Sequence, residues 1–474
     1  MRARNFAWVF VSALLAGCAT YRPLPLDNDL AQRKLADITV SAASMPVPEL
    51  RAHRFDPSDG LDVTEVAMLA VANNPDLRSQ RDDLGVARAQ AFAAGLLPDP
   101  QLSYEHDRPD PHQAENTPAF NLGLTWNLGD LLTRSARVAS VQAGTRQVHL
   151  DLLWNEWQTV AKGRTLFGKV YSLTGLVARL QAEHDALTPI QQYIQRALKA
   201  GDLTYDGASA GLNAASDVDN KLVDAQGQLD QAEHDLHGLL GLDDAVALHL
   251  TGAPYTVEPD AAEAKQAFAD MPRRRPDLLA LQAGYASQEQ KLRAAVLAQF
   301  PAITVGFTRA RDTSDIHTSG LSVSLALPLF DGNRGNIAIE RATRQKLHDE
   351  YAARVQADRN DVALLLKQVQ GFDAQFPALR AHASQLAKAR DSAQRAFSDG
   401  LLDWPTYLAI RASSLAADTD LLTIQQNANE QIISLDALVG AWPDAGVGAC
   451  LHATGAKRRL FYRQQAGSYR SCAP

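Results

Sequence analysis

Two stretches of the chain open alike: NNPDLRSQ from Asn73 and RRPDLLAL from Arg274. The step from Pro75 to Pro276 is 201 residues, and the same step carries Pro100 onto Pro301 and Asp130 onto Asp331. In that frame Leu102, Tyr104 and His106 fall on Ile303, Val305 and Phe307. Phe120, Leu122, Leu124, Trp126 and Leu128 fall on Leu321, Val323, Leu325, Leu327 and Leu329. Matches held in one register along this much of the chain mark an internal duplication. A chain of 474 residues could hold several unrelated domains. The duplication instead predicts two similar halves of one architecture.

Each half changes hydrophobic period in the same order. Thr64 to Leu97 carries helical spacing through Val66, Leu69, Leu77 and Leu84, with Asp62 or Thr64 as the starting cap and Pro98 and Pro100 as the stop. The period then becomes two. In AFNLGLTWNLG the residues Phe120, Leu122, Leu124, Trp126 and Leu128 share one face, and Asn121, Gly123, Thr125 and Asn127 the other. QLSYEH is a shorter strand before it, and the polar, Pro-rich DRPDPHQAENTP joins the two. In the second half AITVGFT and LSVSLALPL are strands, with RARDTSDIHTSG as the loop.

After each strand pair comes a run without strong breaks, roughly Leu131 to Ala200 and Asn333 to Ser398. At about 1.5 Å per residue such a run reaches roughly 100 Å. Each ends at a turn, KAGDLT around Gly201 and SDGLLDW around Gly400, from which a second helix returns to LHGLLGL or LDALVGA, with Gly241 and Gly440 in matching places. Pro189 and Pro377 predict kinks or stacked segments. The apolar spacing suits antiparallel coiled-coil packing.

The start, MRARNFAWVFVSALLAGCAT, has a basic stretch at Arg2 and Arg4, then an apolar stretch from Phe6 to Leu15, too short to span a bilayer. Leu15-Ala16-Gly17-Cys18 resembles the bacterial lipobox, in which the Cys thiol is lipidated and becomes the new N-terminus; Ala19, rather than Asp, implies sorting to the outer membrane. Loss of Arg2 and Arg4 takes the formal charge from −8 to −10, a poor match for nucleic acid. Cys450 and Cys472 remain, in an oxidising compartment, as a disulfide or as two unpaired thiols.

The nine residues Phe120 to Leu128 have the length of a transmembrane β-strand. A half-buried soluble sheet alternates in the same way; the lipobox, the polar loops and the small uncharged residues of the polar face (Thr125, Asn127, Thr304, Ser322, Ser324) favour a barrel. Four strands cannot close one, and an open edge in lipid leaves backbone groups unpaired. Two chains would give eight strands and a filled interior. Three would give twelve and a lumen, so a trimer is the smallest conducting assembly.

The layout resembles the TolC-like outer membrane factor family, on the repeated Pro-Asp-Leu at Pro75 and Pro276, the four strands, the ALKAGDL and AFSDGLL turns and the LHGLLGL ending, over about Asp62 to Trp442. The first turn departs from the family's Ala-x-x-x-Gly-Leu pattern at Asp202. The resemblance implies a mainly helical fold: a trimeric α-helical barrel continued by a 12-stranded β-barrel, four strands per chain. It divides the chain into a lipoprotein signal peptide (1–17), an anchored linker (18–61), a first repeat (62–242, strands about 101–106 and 119–128), an equatorial segment (243–262), a second repeat (263–442, strands about 302–308 and 320–329) and a tail (443–474). The implied function is the outer membrane channel of a tripartite efflux system: a Gram-negative homotrimer giving passive exit to substrates delivered by an inner-membrane transporter through a periplasmic adaptor. The adaptor would meet the turns at Gly201, Asp202, Leu203, Gly400, Leu401 and Leu402. Acidic groups near the closing end point to Asp206 and Asp403, against which stands the plain reading of solvated helix caps. Phe120, Leu122, Leu124, Trp126, Leu321, Val323, Leu325 and Leu327 would face outer membrane lipid. Cys18 would carry the covalent lipid, with no other cofactor.

Other features point nowhere special. His234 and His237 share a helix face without further ligands of metal-site spacing, and Trp154 and Trp157 read as core or inter-subunit packing. No phosphate loop or nucleophile motif is present, so no enzyme activity is expected. Two other functions stay open: a periplasmic coiled-coil spacer lipoprotein, and an exit duct for type I protein secretion.

Overall fold

A computed structural model describes residues 21–26, 35, 38–110, 117–255 and 261–439. The signal peptide, Cys18, Gly440, Cys450, Cys472 and the tail lie outside the described residues. The chain is mainly helical, with one antiparallel sheet of order β1–β2–β3–β4. A short helix α1 (Pro48–Ala52) precedes the first repeat: α2 (Val63–Asn73), α3 (Pro75–Gly95), β1 (Gln101–Asp107), β2 (Ala119–Asn127), α4 (Gly129–Ala200) and α5 (Tyr205–Leu240). The second repeat follows the same order: α6 (Ala261–Arg274), α7 (Pro276–Leu297), β3 (Ile303–Arg311), β4 (His317–Leu325), α8 (Arg334–Ser398) and α9 (Trp404–Val439).

The repeated Pro-Asp-Leu starts the second helix of each pair, and here the expectation of one helix from Thr64 to Leu97 is corrected. Pro75 disfavours helical backbone at Asn74 (φ −56°, ψ 127°), so α2 ends and α3 begins with Pro as its first residue. Asp62 caps α2 by accepting from the Thr64 and Glu65 amides, and Glu65 accepts from the Asp62 amide in return. In the first repeat Asn73 and Asn74 tie down the far end of the half. The Asn73 amide donates to the Leu240 and Gly241 carbonyls, and Asn74 to the Leu239 carbonyl, the groups α5 leaves unsatisfied. Gly241 holds a left-handed backbone (φ 63°) there, and a Cβ would meet the Asn73 carbonyl at 2.6 Å. Arg275, the counterpart of Asn74, does a different job, described below.

The two long runs are continuous helices of 72 and 65 residues, with Pro189 and Pro377 inside them, which excludes stacked segments. Helix α4 is the spine: it packs against α2, α3 and α5 of its own repeat and against α7 and α9 of the other. Helix α8 packs on α7 and α9, and over its length buries only Asp358, Val362, Leu365, Ala383 and Ala393. Part of the N-terminal segment is packed as well, since Met45, Val47 and Leu50 join Met68, Val71 and Val160 in one core cluster. No helix among the described residues is long and apolar enough to cross a membrane.

The strands differ at their ends from the expected bounds. β3 and β4 extend toward their loop through Arg309–Arg311 and His317–Gly320, paired across a tight turn in which the Asp312 carboxylate accepts from the Ser314 and Ile316 amides. Polar side chains do not prevent a backbone ladder. At the other end β4 stops at Leu325. The Ala326 amide still donates to Ala302, but Pro328 has no N–H to continue, so Leu327 and Leu329 fall outside the strand.

Candidate functional site

The pairing register sorts every strand residue onto one of two faces. His106, Phe120, Arg311 and His317 lie across the sheet at its loop end; Tyr104, Leu122, Arg309 and Ser319 form the next row; Leu102, Leu124, Phe307 and Leu321 the third; Trp126, Val305 and Val323 the fourth. Seven of the eight residues expected to face lipid therefore share one surface. Leu327 lies off the end of β4, outside the register that sorts the faces, and is exposed, as are Leu329 and Phe330. The opposite face presents Ser103, Asn121, Gly123, Thr125, Thr304, Gly306, Thr308, Ser322 and Ser324, with charge only at Glu105 and Asp107. The apolar face is bare: Leu321 is 87% exposed and β4 is exposed along its whole length. The edge strands β1 and β4 have no further partner among the described residues.

The opposite end of the molecule is two helical tips built by one device. Gly201 (φ 79°) and Gly400 (φ 73°) are left-handed, so that the Asp202 amide reaches the Ala197 carbonyl at 2.9 Å and the Leu401 amide reaches Ala396 at 2.8 Å. Gly201, Asp202, Gly400 and Leu401 are exposed, while Leu203 and Leu402 are half-buried. Tyr205 and Leu401 are each 80% exposed, large apolar groups at the tips. Asp403 starts α9, accepting from the Thr406 amide at 2.9 Å, and hydrogen bonding from the Thr406 side chain and then from that amide holds its carboxyl below the usual range. Asp206 is exposed in the first turn of α5, behind the capping hydroxyl of Thr204. Both sit where a carboxylate favours a helix start.

Above the tips lies a feature that no sequence motif announces. Arg411 of α9 donates from Nε and Nη2 to the two carboxylate oxygens of Glu183 on α4, each at 2.7 Å, and its Nη1 donates to the Tyr407 hydroxyl and the Gln394 amide oxygen. Both ions are nearly buried, among Leu180, Leu187, Leu408 and Leu415. Burial works against the Arg411 charge, but the Glu183 pairing prevails and raises its pKa. A partial signal exists: Glu183 stands between Leu180 and Leu187, and Arg411 between Leu408 and Leu415, at helical core spacing. The partner, 228 residues away, has no local sign.

Two further clusters join the repeats nearer the sheet. Arg275 is fully buried against Asp277 (2.5 and 2.9 Å) and Asp358 (3.1 Å), with Arg354 on both carboxylates and the Trp154 ring 4.8 Å from the guanidinium. So Trp154 is core packing around a cation, while Trp157 lies against the cluster holding Met68. Burial raises the Asp358 pKa, opposed by Arg275 and Arg354. In the other cluster Arg164 meets Glu49 of α1 at 2.6 Å and stacks under the Tyr255 ring at 4.2 Å, and the Tyr255 hydroxyl donates to Asp436 at 2.9 Å. Burial pushes Asp436 up to about 7. From roughly pH 4 to 7 the folded protein keeps a proton that the unfolded chain has released, so stability should fall as pH rises through that window, by ~1.4 kcal/mol for each pH step of one. Asp436→Asn still accepts from Tyr255 and does not titrate. Melting temperatures across the window should decline more steeply for the wild type than for the variant, the difference being the share of Asp436.

The histidine pair is pulled apart in function: His234 meets Asp244 at 2.8 Å, whereas buried His237 lies between the Glu233 and Val246 carbonyls. His53, Asp62 and Glu65 do come together, but both carboxylates already serve the start of α2.

Two helical hairpin repeats, joined by a four-stranded sheet with one bare apolar face, define a class of architecture: long paired helices on an open β-sheet. Residues 270–441 match the family of outer membrane efflux proteins. Outer membrane protein OprJ of Pseudomonas aeruginosa is 25% identical over 445 residues, covering 82% of this chain and 85% of that protein. Among solved structures, a membrane protein from Pseudomonas aeruginosa superposes with TM-score 0.69 at 20% identity, covering 89% and 99% of the two chains. The CmeC outer membrane channel of Campylobacter jejuni gives 0.67 at 14%, covering 82% and 87%. CusC, described with transmembrane channel formation, gives 0.66 at 18%, covering 84% and 97%. The resemblance to TolC-like channels read from the sequence is thereby borne out, and the fold is theirs.

Proposed function

We propose that the chain is the outer membrane channel of an efflux system. Three copies close a twelve-stranded barrel whose apolar faces meet lipid and whose Ser- and Thr-rich faces line a wet lumen. Substrates leave passively through the barrel and a helical tunnel below it, and no chemistry is performed on them. The observation that carries this reading is the sheet: one face apolar except in its loop-end rows, one face of small polar residues and two open edges, which only neighbouring copies or a barrel closure can satisfy in lipid. Helix α8, with few buried residues over 65, offers a face for the same neighbours.

The turns at Gly201–Leu203 and Gly400–Leu402, exposed at Gly201, Asp202, Gly400 and Leu401 and with Tyr205 beside them, suit a periplasmic adaptor bridging to an inner-membrane transporter. Asp206 and Asp403 would bring carboxylates to the mouth of the tunnel, and Cys18 would anchor each copy by lipid. The likeness to OprJ and CmeC, an outer membrane protein and an outer membrane channel, supports this placement.

Single-channel conductance of the purified protein in a planar bilayer, with its mass in detergent, tests the reading. A conducting trimer is expected. A lipid-bound monomer that passes no ions would overturn it in favour of a spacer lipoprotein. Cys18→Ala behind a cleavable signal separates the two in cells, since a barrel still integrates and a tethered spacer becomes soluble.

A further inference from the structure

The charges on the strands are segregated by face. On the apolar face the charged side chains are the guanidinium groups of Arg309 and Arg311, joined by His106 and His317, and all lie in the two rows nearest the loops. On the polar face the charges are Glu105 and Asp107. Because the strands leave the helices at the opposite end, the loop end is the one that would face the cell exterior. The basic rows therefore sit on the lipid-facing surface, at the height of the outer leaflet's headgroups.

The two arginines are not equivalent. Arg311 is held in place: its Nε and Nη2 donate to the Pro118 carbonyl, Nη1 lies 3.6 Å from the Asp315 carboxylate, and the group lies 5.7 Å from the Phe120 ring. His317 also approaches Asp315, at 4.0 Å. Arg309 is exposed, one row nearer the membrane centre, flanked by Leu122 and Ser319, and has no hydrogen-bond or ionic partner among the described residues. A guanidinium amid an apolar surface is costly in hydrocarbon and favourable against phosphate, which it can bind bidentately. Arg309 lies in an inner strand of the sheet, so closure by neighbouring copies at β1 and β4 leaves it facing lipid.

We propose that Arg309, with Arg311 beside it, binds the phosphate groups of lipid headgroups in the outer leaflet, giving each subunit an anionic-lipid site on the outer wall of the barrel. This rests on the barrel reading above. Charge complementarity selects the occupant: a row that is apolar on its membrane side and cationic on its loop side fits an acyl chain below a phosphate.

The test places the full protein in phosphatidylcholine nanodiscs and titrates them with lipid A carrying its two phosphates, or with the dephosphorylated molecule, following retained lipid by native mass spectrometry. Phosphorylated lipid A should bind preferentially. Arg309→Gln should weaken that binding about fivefold, the equivalent of ~1 kcal/mol for one basic group at a membrane surface. Arg309→Lys should retain most of it, and Lys346→Gln, on exposed α8, should change nothing. Equal binding of both lipids, or an Arg309→Gln protein that binds like wild type, overturns the site while leaving the barrel intact. Failure of the wild type to enter nanodiscs at all overturns the barrel reading itself.

Discussion

Leu124→Arg is expected to prevent stable membrane integration, and Leu321→Arg to do the same. Both positions belong to the third row of the apolar face, between the basic rows at the loop end and Trp126 at the other. A cation on the lipid face near mid-membrane costs about 2–4 kcal/mol, and each substitution would enter the proposed trimer three times. Thr125→Arg, one residue along and on the opposite face, is the decisive companion. It should integrate normally and alter conductance or ion selectivity instead. Outer membrane fractionation and heat-modified mobility in gels would score all three. If Leu124→Arg and Thr125→Arg behave alike, the two-faced sheet is not a barrel wall.

The second large effect lies at the tips. Glu183→Ala leaves the Arg411 guanidinium buried without its carboxylate, and removal of one partner from a buried pair costs roughly 3–5 kcal/mol. The loss should appear as a lower melting temperature in detergent and as faster proteolysis near Gly400, because Arg411 lies in the second turn of α9 and ties it to the spine helix. Glu183→Leu with Arg411→Met removes both charges and refills the space among Leu180, Leu187, Leu408 and Leu415. That double variant should recover most of the stability, since well-packed apolar replacements of buried pairs are often neutral or better. Equal damage in the single and double variants would mean that shape, not charge pairing, holds the tips together.

The architecture was legible where local chemistry repeats. The alternation from Phe120 to Trp126 reads as a strand with two unlike faces, and the register confirms both, because a side-chain period of two leaves no other placement. The Gly201 and Gly400 turns were equally plain. The break at Asn74 was missed because the apolar spacing runs across it, although the Pro75 ring alone moves the preceding residue out of the helical region. The far end of β4 was overdrawn because Leu327 and Leu329 keep the alternation after Pro328 has ended the ladder. The ion clusters were beyond reach for another reason. Glu183 meets Arg411, Glu49 meets Arg164, and Arg275 meets Asp358 only after the helices have packed. Spacing within a helix says which side a residue occupies, not what stands opposite.

The register also sets an order of events. Within each repeat the strands pair with a near neighbour, and Asn73 and Asn74 find their partners on α5, so the first half can organise itself before the second exists. The join between β2 and β3 brings together Phe120 and Arg311, across the whole of α4, α5, α6 and α7. Closing so long a loop is slow and has to wait for the helices that hold its ends in place. On the barrel reading, the surface that meets lipid would therefore be the last part of the subunit to be completed. On the barrel reading proposed above, an exported chain would cross an aqueous compartment as two helical halves, its sticky face divided between them, and acquire a lipid-facing surface only on arrival.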